Sequence, residues 1–122
     1  METTLRWYIA KIIFRVQCGD GKHTPQFDEQ YRLIEAKNVK EALTKAKNTG
    51  QKEDVTFMNT LMLPVRWQFI DVAELTELAE LSDGIELFSS IKETKDADKY
   101  IRKVLFKSKN IESSINEKRV TS

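Results

Sequence analysis

The sequence predicts an α+β domain, a mostly antiparallel sheet of four to five strands with two helices packed on one face. Three observations point there. Two period-two runs, Trp7 to Cys18 and Gln26 to Ala36, flank a short segment dense in turn residues, as in a hairpin. Two apolar stripes at helical spacing occur, one from Val39 to Ala46 and one from Ala97 to Ser108. Further alternating runs stand between and after these, so hairpins and meanders with a helix between them account for the element order.

Each element has its own justification. In the first run the even positions Tyr8, Ala10, Ile12, Phe14, Val16 and Cys18 are all apolar. The odd positions mix Trp7, Ile9 and Ile13 with Lys11 and Arg15. One dry face and one mixed face predict a central strand whose outer face is partly covered. Gly19-Asp20-Gly21-Lys22-His23-Thr24-Pro25 then breaks the pattern as a turn. The second run sets Phe27, Tyr31 and Leu33 on one side and Ile34 and Ala36 on the other.

Val39, Ala42, Leu43 and Ala46 make a helical stripe. Asn38 is placed to cap it, Glu41 stands where a capping box wants a carboxylate, and Gly50 is placed to close it. Val55 to Met58 reads as a short strand or a loop tucked on the core. Val65, Trp67 and Phe69 alternate with Arg66, Gln68 and Asp71 as a strand, whereas Leu75, Leu78 and Leu81 recur every three residues and suggest a helical turn. Ser82-Asp83-Gly84 is a turn, and residues 85–91 alternate again as a further strand. Ala97, Ile101, Val104, Leu105 and Ser108 line the second helix, with Asp96 as its cap. The pattern fades after Ile111, which predicts a single domain over residues 1–111 and a flexible tail over 112–122.

Composition narrows the function classes. The 122 residues carry 20 Lys and Arg against 19 Asp and Glu, a net charge of +1, with one Cys, so a disulfide framework is excluded. No apolar run approaches the roughly 20 residues of a membrane span, and residues 1–6 carry no secretory pattern, so a cytoplasmic protein is expected. Charge is nonetheless uneven: net +3 over residues 1–70, −6 over 71–91 and +4 over 92–122. The acidic and basic segments are either solvated faces or partners, within one subunit or between two.

Few residues carry chemistry. Cys18, Asp20 and His23 gather at the first turn and are the metal-ligand candidates by donor type, but no second Cys or His gives them a recognised spacing. The plain alternative is a turn whose Asp and His bond local backbone. Cys18 with His23 also lacks an orienting third group for nucleophilic catalysis. Asp28 and Glu29 are adjacent, so in a strand they point to opposite faces and form no dyad. No phosphate-binding or zinc-protease motif is present, and no catalytic residue or cofactor is predicted. Lys99, Arg102, Lys103 and Lys107 share a surface of the last helix and form the one basic patch. Without a basic field elsewhere it reads more simply as a solvated helix face than as a nucleic-acid site. Trp7, Ile9, Lys11, Ile13 and Arg15 suit a sheet face packed against a second subunit.

Four segments together carry a family likeness: the Trp7-Tyr8-x-Ala10-Lys11 strand, Tyr31-Arg32-Leu33-Ile34-Glu35-Ala36 leading into a Glu41-Ala42 helix, Val65-x-Trp67-x-Phe69-Ile70, and Asp83-Gly84-Ile85-Glu86-Leu87-Phe88-Ser89. This set resembles a small bacterial family, the domain of unknown function 4288, over roughly residues 7–91, leaving the last helix outside. The resemblance implies a bacterial cytoplasmic protein with an α+β fold and supplies no catalytic residue. The sequence thus predicts a binding or assembly domain that forms a homodimer, with an unidentified protein as a further partner. A ligand, metal or catalytic site at residues 19–25 and a nucleic-acid accessory role for the last helix are the alternatives.

Overall fold

Alternation along the first strand decides the architecture. In β1 (Arg6–Cys18), Tyr8, Ala10, Ile12, Phe14 and Val16 are buried on one side, and Lys11, Ile13, Arg15 and Gln17 between them are only partly covered. The computed structural model describes residues 4–121, with side chains as far as Glu117. β1 pairs antiparallel with β2 (Gln26–Ala36) from Arg6↔Ala36 to Val16↔Gln26, which is the expected hairpin. The fold then runs through α1 (Val39–Lys52), β3 (Val55–Met58), β4 (Pro64–Leu78) and α2 (Ala97–Thr121). The four strands form one antiparallel sheet in the order β2-β1-β4-β3. The chain divides into two units, Met1–Leu87 and Phe88–Ser122.

In the first unit α1 covers the even-numbered face of β1. Tyr8, Ala10, Ile12, Phe14, Ile34 and Ala36 from the sheet meet Ala42 and Ala46 from the helix, and Trp67, Phe69, Val72 and Leu75 pack around them. The Asn38 side chain accepts the Glu41 N–H at 2.8 Å and caps the helix as expected. The buried stripe differs from the expected one: Ala42, Ala46 and Gly50 are buried, while Val39 and Leu43 are exposed. Gly50 does not end the helix, which continues to Lys52 with Glu53 as its cap. Its role is close approach, because a Cβ there would enter the ring of Phe69 and lie 3.1 Å from Ile12 Cγ2.

β4 corrects the reading of the leucines. Phe69, Val72 and Leu75 lie three apart, yet they pair with Phe14, Ile12 and Ala10, which lie two apart. Two register shifts, between Lys11 and Ile12 and between Ile13 and Phe14, each place one extra residue on β4. The bulges account for that spacing; Leu75 and Leu78, expected in a helical turn, are strand residues in unbroken register with Ala10 and Trp7, so they lie on opposite faces of the sheet, and Leu81 lies beyond β4. Residues 85–91 form no strand, because an isolated alternating run has no neighbouring ladder to take up its backbone groups. The 82–84 turn is present, with Gly84 at φ 82° and the Ile85 N–H donating to Ser82 C=O at 3.2 Å.

Beyond the helix, the same sheet face is closed by polar groups. Trp67 Nε1–H reaches across β1 and donates to Asp28 Oδ2 at 3.1 Å, and Gln30 Nε2 donates to the same oxygen at 2.6 Å. Arg32 Nη2 donates to Gln30 Oε1 at 2.8 Å and to both Glu53 carboxylate oxygens at 2.6 and 2.7 Å. This chain ties β2 to β4 and to the end of α1, and Phe57 stacks on Trp67 with ring centroids 6.2 Å apart. Asp28 lies on the helix side and Glu29 on the other, as adjacent strand residues must.

In the second unit α2 is the only regular element among the described residues. The Asp96 side chain accepts the Lys99 N–H at 3.0 Å as its cap. The helical backbone runs to Thr121, across the stretch expected to be a tail, because Ile111 and Ile115 continue the apolar spacing; Ser122 lies outside the described residues.

Candidate functional site

The face of the sheet opposite α1 is the best candidate for function, and the register builds it. Trp7, Ile9, Lys11, Ile13 and Arg15 of β1 pair with Glu35, Leu33, Tyr31, Glu29 and Phe27 of β2, so all ten share that face. On the other side of β1, Leu78, Thr76, Glu74 and Gln68 of β4 pair with Trp7, Ile9, Lys11 and Arg15. The five β1 residues expected at an interface thus stand together on one surface. Ile9 and Leu78 are buried at one end of it, whereas Phe27, Tyr31 and Leu33 on the β2 flank are half exposed, at 55%, 50% and 51%. An antiparallel sheet with one face toward water ordinarily turns polar residues outward. This flank turns two aromatic rings and a leucine outward instead.

The two cations of the face are held by those same rings. Lys11 Nζ lies 5.7 Å from the Tyr31 ring centroid and 3.3 Å from Glu29 Oε1. The hydrogen bond that Lys11 donates to Glu29 is the main cause that raises the Lys11 pKa above its ordinary 10.5. The Arg15 guanidinium lies 5.9 Å from the Phe27 centroid, and its Nε is buried with no hydrogen-bond partner among the described residues. With Lys11 and Arg15 set against Glu29, Glu35 and Glu74, the face presents mixed charge rather than a positive field.

The sequence grouped Phe27, Tyr31 and Leu33 on one side of β2 but did not join them to the outer face of β1. Their cross-strand partners follow from the hairpin register, which the length of the 19–25 turn fixes.

The turn itself spends its polar groups on its own backbone. His23 Nε2 accepts the Cys18 N–H at 3.1 Å, so the neutral ring carries its proton on Nδ1 and donates it to Thr24 C=O at 2.9 Å. Asp20 Oδ1 accepts the Lys22 N–H at 2.9 Å. Cys18 is exposed, and among the described residues no group of three His, Cys, Asp or Glu side chains is placed to hold a metal ion. A cavity of about 270 Å³ beside the turn, reached by Gln17, Asp20, Thr56 and Arg66, is smaller than the usual ligand pocket. Lys99, Arg102, Lys103 and Lys107 all lie on α2, in the second unit. Of the acidic segment, Asp71 pairs with Lys47 at 3.7 Å and Glu77 with Arg6 at 3.1 Å, both within the first unit.

Among the described residues, no helix is long and apolar enough to cross a membrane. A family model described as a domain of unknown function, DUF4288, fits residues 7–89, from the start of β1 to just beyond the first unit. No curated protein and no solved structure matches the chain.

Proposed function

The chain belongs to the DUF4288 family, and we propose that it is a non-enzymatic binding domain that assembles with a second copy of itself through the open sheet face. The observation that carries this reading is the half-exposed row Phe27, Tyr31 and Leu33, in register with the partly covered outer face of β1. A second copy is the occupant that fits the size and charge of the face. The paired length of β1 and β2 is about 37 Å and three strands span about 14 Å, a plan area of roughly 500 Å². Two such faces together reach the lower end of specific protein interfaces, about 1,000 to 1,200 Å². The mixed charge of Lys11, Arg15, Glu29, Glu35 and Glu74 lets one patch meet its own image without a large like-charge field, and it offers little to a polyanion. Bacterial origin and a cytoplasmic location accompany this reading as part of the proposal.

Sedimentation velocity on charge-inserting variants tests it. Tyr31→Glu and Leu33→Glu are exposed changes that leave the core intact, so both are expected to fold and to weaken the dimer at least tenfold. Val39→Glu, an equally exposed change on α1, leaves it unaltered. Equal behaviour of all three variants and the parent would overturn the reading.

A further inference from the structure

Among the described residues of its unit, α2 has no other regular element to cover its apolar side, and this 25-residue helix carries Ile101, Val104, Ile111 and Ile115 exposed. Helices of this kind draw most of their stability from packing one face, so the exposed side calls for a partner. Its spacing says which kind. Ala97, Ile101, Val104, Ser108, Ile111 and Ile115 follow one another at intervals of four, three, four, three and four. That is the 3.5-residue repeat of a left-handed coiled coil, with Ile101, Ser108 and Ile115 at a positions and Ala97, Val104 and Ile111 at d positions.

We propose that α2 is a second self-association site, which forms a parallel, in-register coiled coil with α2 of another copy. The flanking positions select this partner and this direction. Tyr100 and Lys107 fall at g, and Leu105 and Glu112 at e. In a parallel pair each g residue meets the e residue five positions further along its partner, so Tyr100 meets Leu105 and Lys107 meets Glu112, apolar with apolar and cation with anion. An antiparallel pair sets g against g and e against e, and the register that brings Lys107 to its own copy brings Glu112 to Asp98, like charge against like. The single polar Ser108 at a restricts register. Lys99, Arg102 and Lys103 fall at f, b and c, on the outside, which accounts for most of the basic patch as the solvated face of the dimer. Phe106 also falls at f and takes no part in the seam.

This inference deepens the self-association reading and adds a contact that the sheet face, small on its own, does not supply. The two are separable by experiment on the full chain. In a Cys18→Ser background, Ile101→Cys places one thiol at an off-centre a position, where parallel helices bring the two copies within disulfide range. Mild oxidation is expected to convert it to a covalent dimer, while Lys103→Cys on the outer surface stays uncoupled. In sedimentation, Ile111→Asp is expected to raise the dimer dissociation constant at least tenfold and Phe106→Asp to leave it unchanged. Failure of Ile101→Cys to couple, or coupling only when it is mixed with Ile115→Cys, overturns the parallel register. Equal effects of Ile111→Asp and Phe106→Asp overturn the seam. A dimer weakened by Tyr31→Glu but not by Ile111→Asp leaves the sheet-face reading standing and removes this one; the reverse pattern removes the sheet-face reading and keeps the coiled coil.

Discussion

Replacing Gly50 with alanine sets two effects of opposite sign against each other, and the packing of α1 decides between them. In a helix interior the change is favourable by about 1 kcal/mol, because alanine loses less backbone freedom. Here the new methyl enters the ring of Phe69 and stands 3.1 Å from Ile12 Cγ2. Phe69 cannot simply turn aside, since Phe14 holds it edge-on with centroids 6.0 Å apart. Ile12 is fully buried on the neighbouring strand. The helix must lift or the ring must leave its packing, and overpacking of this kind costs about 1–3 kcal/mol. With contacts on two strands the upper part of that range applies, so Gly50→Ala is expected to destabilise by about 1–2 kcal/mol net of the helix gain. For a unit of this size that lowers Tm by roughly 5–15 °C. Thermal and urea unfolding followed by circular dichroism measure it, with exposed Asn48→Ala on the same helix as the control within about 0.7 kcal/mol. Adding Phe69→Leu to Gly50→Ala is expected to recover part of the loss, because the two sites share one contact. A Gly50→Ala chain more stable than the parent would refute the close approach of α1 to β4.

Other outcomes follow from the same geometry. Asp28→Ala strips the shared acceptor from Trp67 and Gln30, and urea unfolding should show a loss of about 1–2 kcal/mol, with Asp28→Asn losing less. Because the Lys11 pKa is raised above 10.5, the Lys11–Glu29 contribution is fully present below that value and is lost only as pH rises through the higher folded value. An NMR titration of the Lys11 side chain reads the shift directly, and Glu29→Gln should bring it back toward the ordinary value. For His23, nitrogen chemical shifts of the neutral ring should report the proton on Nδ1. A proton on Nε2 would contradict its bond from the Cys18 N–H.

Legibility in the sequence followed the length of unbroken patterns. β1 kept strict alternation over its whole span, and Asn38 and Asp96 are capping residues whose side chains do what their chemistry allows. The end of β4 hid because Leu75, Leu78 and Leu81 keep a three-residue spacing that mimics a helix, although Leu75 and Leu78 fall on opposite faces of the sheet. Gly50 looked like a helix stop because its reason for being glycine lies on another strand. The polar chain from Glu53 through Arg32, Gln30 and Asp28 to Trp67 joins residues up to 39 positions apart, which no local window brings together. The candidate face was half legible for the same reason. Its β1 column came from alternation, but its exposed flank depends on the β2 register and on which face of the sheet α1 covers.

Light scattering of the unmodified chain against concentration decides whether it self-associates. The expected mass rises from one chain to two over the micromolar range and still reaches two in 0.5 M salt, because apolar surface rather than charge holds the sheet faces together. A mass of one chain at every concentration up to several hundred micromolar would contradict it.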